Sequence, residues 1–362
     1  MPSKKTPTGP REGDQYGFDL TASRGRAMRE KMKKAEATAD ERGGLKPLGG
    51  TISVPVLTPI QKRLLDVSVE IMQGEPDEFT FMHSVTCQCS LPTAKQPADV
   101  RRWERRQGRA TLLVEAGEAL NPKTGRFEQL GLPYGPKARL LLMHLNSEAV
   151  RSQSPIIPVE DSMTAFFRRL MGRTLDGRQA KMMKTQLSAL AVAQFRLGIL
   201  DGDRAMQMDS KVVHKMDLWF ATEPGQKVLW PSTLRLSQDY YDSLTKYAVP
   251  LDERAIAGLS KSATALDIYC WLAQRLHRIP PGKPQTVPWK ALHEQFGKDY
   301  AHVRQFRAFF LKQLQQVAAV YREAIIDHDD SGMLLWTSPP PVRRKPLLVT
   351  GIKEIELKAV EQ

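Results

Sequence analysis

The chain has 362 residues, enough for about two or three domains, and its 53 lysines and arginines against 40 acids give a formal net charge of +13. That surplus points to a polyanionic partner, nucleic acid ahead of an anionic membrane surface. Three cysteines do not make a disulfide framework, no run approaches the ~18 apolar residues of a membrane span, and the polar opening Met1-Pro2-Ser3-Lys4-Lys5 lacks the apolar core of a signal peptide, so the expectation is a protein of the reducing cytoplasm with no membrane partner.

Residues 1–50 are rich in Gly, Pro and charge and poor in Leu, Ile, Val and Phe, which predicts a basic tail without stable structure. Residues 51–130 read as an extension. Thr58 and Pro59 open a helix to about Met72, with Ile60, Leu64, Val67 and Ile71 on one face. Residues 79–92 read as β-like, and Thr111-Leu112-Leu113-Val114 as the centre of a strand from Arg109 to Glu115. The run Arg101-Arg102-Trp103-Glu104-Arg105-Arg106 is a separate basic cluster, suited to phosphates, a protein partner or plain solvation.

From residue 131 a pattern of helix, short strand, helix, longer helix and hairpin runs through twice. The first copy has a helix from Pro136 to about Val150 and an edge strand at Ile156, Ile157 and Val159. A helix with Met163, Phe166, Phe167 and Leu170 follows, then a long helix from Arg178 to Gln194 whose inner face is Met183, Leu187, Leu190 and Ala191. Phe195 to Phe220, turning at Asp201-Gly202-Asp203, reads as its hairpin. Leu236 to Val249 is a linking helix and Leu251 to Ala257 a turn.

The second copy begins at Ser260 with a helix to His277 and a strand at Thr286-Val287. A helix from Trp289 to Phe296 comes next, then a long helix from Ala301 to Tyr321 with Val303, Phe306, Phe310, Leu314 and Val317 inward. Ala324 to Trp336 forms its hairpin, with His328-Asp329-Asp330-Ser331-Gly332 at the tip. Each copy reads as a winged helix. The expected fold is mainly α with small β-hairpins, an α+β class. Two tandem winged helices at 131–235 and 236–342 follow the extension and precede a tail at 343–362.

A winged helix sets its third helix in the major groove of duplex DNA. The first long helix carries Arg178, Lys181, Lys184, Thr185 and Ser188 opposite its apolar face. Arg168, Arg169 and Arg173 precede it, and Arg204 lies in the hairpin. Residues 168–215 hold ten lysines and arginines against four acids. The second long helix presents His302, Arg304, Arg307, Lys312 and Gln315, with Gln305 nearby. Arginine and glutamine pair with base edges, and lysine neutralises phosphate. One such row is the solvated face of an amphipathic helix; two, in the same position of a repeated unit, point to DNA.

Catalytic and metal chemistry find no footing. Cys87-Gln88-Cys89 and His83 lack a second ligand pair, so a packed strand edge is the expectation there, and Cys270 reads as a core thiol. The glycines of residues 172–177 have phosphate-loop spacing, but Arg178 and Gln179 stand where Lys and Ser or Thr belong. The seven histidines are scattered, with no His-apolar-His pair of the nickase kind, and Asp329-Asp330 reads as turn chemistry. The expectation is no catalytic residue, no metal and no cofactor.

Several blocks, in order, resemble one family: Gly131 to Arg151 with Asp161 to Leu170; Val249-Pro250-Leu251-Asp252; Ala265 to Leu272; Trp289 to Phe310 with Phe296-Gly297 and Tyr300; and, upstream, His83-Ser84 with Cys87 to Pro92. Over about residues 55–342 the chain resembles the RepA-type plasmid replication initiators. The resemblance implies a protein that binds repeated origin sites (iterons) in double-stranded DNA, helps open the adjacent duplex and recruits the host helicase and initiator machinery. It also implies repression of its own promoter, a part in plasmid copy control and a monomer–dimer equilibrium. It places Arg178, Lys181, Lys184 and Thr185 in one major groove and Arg304, Arg307 and Lys312 in the next. The competing readings are a transcriptional regulator of the same fold, an origin-nicking or primase-like enzyme, and a scaffold that binds DNA without sequence preference.

Overall fold

The computed structural model describes residues 57–121, 124–158, 160–171, 176–201, 203–216, 233–297 and 300–342. The tails read at 1–50 and 343–362 lie outside them, as does Arg173. The class is α+β.

Helix α1 (Pro59–Met72) starts as its sequence dictates. The Thr58 hydroxyl accepts from the Gln61 amide, and the Gln61 side chain accepts from the Thr58 amide, a capping box with Pro59 behind it. Leu64 and Val67 are buried and Ile71 partly so, while Ile60 in the first turn stays about half exposed. Strand β1 (Phe79–His83) follows, then a short helix α2 (Ser84–Gln88) in the stretch that reads as β. The β-branched Val85 and Thr86 favour a strand locally. His83 overrides them by capping, its Nδ1 accepting from the Val85 amide at 3.2 Å.

Strands β2 (Arg102–Gln107) and β3 (Ala110–Glu115) form a hairpin, and β4 (Glu118–Asn121) pairs with β5 (Arg126–Gln129).

The first copy is α3 (Gly135–Ser152), β6 (Ile156–Pro158), α4 (Glu160–Met171) and α5 (Gly177–Val192), then β7 (Gln194–Asp201), β8 (Arg204–Lys211), β9 (Val213–Met216) and β10 (Thr233–Leu236). The β7–β8 hairpin forms where the sequence puts it but is not this copy's own. It joins the extension in a four-stranded sheet ordered β2-β3-β7-β8, with Ala110 opposite Ile199 and Glu115 opposite Gln194. Phe195 and Leu197 bury against Leu112 and Val114, a long-range pairing that alternation and turn residues do not encode. The chain changes sheets at the buried Val212. The three-stranded sheet of the copy is β6-β10-β9.

Helix α6 (Gln238–Tyr247) and strand β11 (Ala248–Asp252), antiparallel to β1, lead to α7 (Glu253–Leu259). That segment reads as a turn, yet Asp252 caps a real helix by accepting from the Arg254 amide at 2.9 Å. The second copy is α8 (Ala263–Arg275), β12 (Gln285–Pro288), α9 (Trp289–Phe296), α10 (Val303–Val320), β13 (Ile326–His328) and β14 (Gly332–Leu335). Its sheet order is β12-β14-β13. In each copy, then, the strand after the first helix pairs with the last strand, which pairs with the one before it.

Among the glycines that close approach requires, two lie in the second copy. A Cβ on Gly332 would sit 2.2 Å from the Val287 carbonyl oxygen, and one on Gly297 would sit 2.3 Å from the Phe306 ring.

The first helices of the two copies lie at the centre. Helices α3 and α8 are largely buried and touch each other, and α3 carries Arg139, His144, Asn146 and Ser147 inward beside its leucines. Helix α1 packs on α7 and α10, and Arg63 ties it down through the carbonyls of Leu170 and Ala257 and the Ser260 hydroxyl.

Candidate nucleic-acid interface

Helix α5 begins at Asp176, whose carboxylate accepts from the Gln179 amide at 2.7 Å. Met183, Gln186, Leu187, Leu190 and Ala191 turn inward against α3 and β9. Arg178, Lys181 and Thr185 are exposed, and Lys184 and Ser188 half-buried. Steps of three, four and three from Arg178 through Lys181 and Thr185 to Ser188 keep them on one face. Partial burial draws the Lys184 ammonium below its ordinary pKa. Thr185 donates back to the Lys181 carbonyl at 3.0 Å, which fixes its hydroxyl along the helix.

Two cations read with this row are placed elsewhere. Arg169 is bound to Glu253, Nε to Oε1 at 2.7 Å, and that bond raises its pKa. Arg204 opens β8 at the tip of the inserted hairpin, which puts it about 20 Å along the strands from the end of α5.

Helix α10 has its polar side at Arg304, Gln305, Ala308, Lys312 and Gln315, all exposed, with His302 exposed at the N-cap. Phe306, Phe310, Leu314 and Val317 are buried, while Val303 at the helix start is left outside. The helix has no acidic residue. Arg307 sits on the flank of the exposed face. Its Nη1 donates to Asp330 Oδ1 at 3.0 Å, and its guanidinium lies 5.0 Å from the centre of the Trp289 ring.

The copies are fastened to each other by a buried pair. Arg139 of α3 meets Asp267 of α8 through Nε to Oδ1 and Nη2 to Oδ2, each at 2.6 Å. Its remaining donors go to the carbonyls of Leu91, Pro92 and Gly135. All five guanidinium hydrogens are used, the condition for a buried arginine to be tolerated. Neither residue announces this role in the sequence, because no local pattern links positions so far apart.

The other features singled out by sequence are structural here. Arg101 donates to the carbonyls of Ala116, Gly117 and Leu130, and the buried Arg105 lies 3.5 Å from the centre of the Trp103 ring, while Arg102 and Arg106 stay outside. All three cysteines are buried. Burial pushes the Cys89 thiol up to about 12, and the Cys270 thiol is raised first by its hydrogen bond to Cys87 and then by burial. Among the described residues no group of three or more His, Cys, Asp or Glu is placed to hold a metal, and no helix is long and apolar enough to cross a membrane.

The model of the family described as plasmid encoded RepA protein matches residues 132–291. The match takes in under half of the chain. It covers the first copy, the link and the second copy as far as the first turn of α9. No curated protein matches the chain. Among solved structures, a crystal structure of selenomethionine derivatives of domains 2 and 3 of RctB is similar at 11% identity with a TM-score of 0.42, over 68% of this chain and 89% of that one. A crystal structure of RctB domains 2-3 is similar at 10% identity with a TM-score of 0.41, over 68% and 85%.

Proposed function

We propose that this protein initiates plasmid replication by binding origin DNA through two winged helices, with α5 and α10 in successive major grooves. The observation that carries this reading is the recurrence. The same helix of a repeated unit turns cations and polar side chains outward in both copies, within a chain whose centre matches the plasmid-encoded RepA family. Arg304 and Gln315 are suited to base edges. Lys181, Lys184 and Lys312 are suited to phosphates, with a salt dependence to match. The Arg139–Asp267 pair favours a fixed spacing of the two helices, and so a fixed spacing of the two half-sites.

On this reading the protein acts by binding. It opens the adjacent duplex and brings in host helicase and initiator proteins without cutting DNA. Repression of its own promoter, action in the cytoplasm and a monomer–dimer equilibrium belong to the same proposal. A plasmid carrying the gene and its flanking DNA, with no other origin, should be maintained autonomously. Loss of the plasmid, with specific binding to the same flank retained, would favour a transcriptional regulator. Incubation with supercoiled flanking DNA and magnesium or manganese should leave it uncut.

A further inference from the structure

The hairpin of the second copy has the wrong charge for a surface laid along DNA. No lysine or arginine stands between Arg322 and Arg343, whereas Glu323, Asp327, Asp329 and Asp330 are all exposed. Helix α10 beside it is basic without a single acid. An ion pair, Arg307 to Asp330, joins the two at the surface.

The contact is a built one. Trp289, first residue of α9, is buried and donates its Nε1 hydrogen to the Asp329 carbonyl oxygen at 2.9 Å, which fixes the hairpin tip against the helix pair. The Asp329 carboxylate accepts from the amides of Ser331 and Gly332, which shapes the turn and leaves Asp330 projecting fully into solvent. The Trp289 ring supports the Arg307 guanidinium from below. A carboxylate bonded to a guanidinium presents the same anionic oxygen that a DNA phosphate would.

We propose that Asp330 is an internal stand-in for a DNA phosphate. It occupies Arg307 and repels the backbone beside α10, and so lowers the sequence-independent affinity of the second copy. This rests on the reading that α10 faces DNA. The consequence is specificity. A repulsive element costs the same on every sequence, so only a duplex that also satisfies the outward row of Arg304, Lys312 and Gln315 binds well. On the described strands of the first copy's own sheet, the exposed His214 of β9 and Arg235 of β10 carry no acid beside them.

The test uses the full-length protein and two probes, a 30-base-pair duplex of random sequence and the DNA flanking its own gene, with affinity read by fluorescence anisotropy across a salt series. Asp330 is fully exposed and bonded only to Arg307 in this turn, so Asp330→Asn should fold normally. It should bind the random duplex about three- to fivefold more tightly at low salt, and log K should fall more steeply with log salt by about 0.9, the share of one added phosphate contact. The gain on the flanking DNA should be no larger, so discrimination falls. Arg307→Ala alone leaves Asp330 unneutralised and should weaken both probes, by less than Arg304→Ala does, and in the double variant the added slope should vanish. Unchanged random-duplex affinity for Asp330→Asn, or a loss on Arg307→Ala as large as that on Arg304→Ala, would overturn the proposal. If Arg304→Ala itself had no effect on either probe, the failure would lie with the reading of α10 as a DNA-facing helix.

Discussion

The two copies share a strand order and differ in what is fastened to it. The first carries the β7–β8 hairpin, which leaves the copy to complete a sheet with β2 and β3 of the extension. The second is compact: its hairpin closes tightly over Gly332, carries acids, and is pinned by Trp289 and Arg307. One unit has thus been elaborated toward the rest of the chain, and the other, on the proposal made above, toward control of the helix its hairpin touches. The difference shows that a repeated fold does not imply a repeated job.

The strongest way to break the comparison is to cut the copies apart. Arg139→Met leaves the buried Asp267 carboxylate without its ion partner and should cost about 3–5 kcal/mol, read as a lower urea midpoint. Arg139→Met with Asp267→Leu should recover much of it, since apolar pairs of like volume often replace buried ion pairs without loss. A double variant as unstable as the single would mean that the contact specifies geometry beyond its charge balance.

Acid should weaken the first copy and the extension. Burial holds His144 on α3 at about 3 and His83 at the end of β1 at about 4, so both are neutral when folded, whereas an unfolded histidine takes up a proton near 6.5. Stability therefore falls as pH drops below about 6.5, by about 1.4 kcal/mol per pH unit for each histidine. Between pH 6.5 and 5 the two together should remove about 3 kcal/mol, and His144→Asn should flatten the profile of denaturation midpoint against pH.

Gly332→Ala probes the tight hairpin. The Cβ would strike the backbone of Val287, and the strain should cost about 1–3 kcal/mol in thermal denaturation. The same change at Gly74, where nothing lies within 4 Å, should cost far less. The smallest expected effects are on binding. Arg304→Ala should lose about 1–3 kcal/mol and relax the base preference at one position. Lys181→Ala should weaken all sequences alike and reduce the salt slope by about 1. If neither changed a gel-shift affinity at matched salt, the groove assignment would be wrong.

What was legible in the sequence was whatever is encoded locally. The Thr58 cap, the inward faces of α4 and α5, and the Trp289 to Phe296 helix follow from spacing and capping chemistry. The partner of the β7–β8 hairpin was not legible, because alternation tells which side of a strand is buried and not against what. The helices α2 and α7 were hidden for a related reason. Their caps, His83 and Asp252, are single residues in stretches too short for a period to show. In the candidate site, the outward rows were readable at steps of three and four. The diversion of Arg169 to Glu253 and of Arg307 to Asp330 was not, since both partners come from other elements.

The central claim is that both third helices enter the major groove of one duplex at a fixed spacing. The most direct measurement is methylation interference at guanine N7, which lies in the major groove, on sites selected from random duplexes by the full-length protein. Two clusters of interfering guanines about one helical turn apart are expected, the cluster under α10 fading in Arg304→Ala and the one under α5 in Arg178→Ala. A single cluster, lost with Arg178→Ala and indifferent to Arg304→Ala, would contradict the account and leave α10 with another partner.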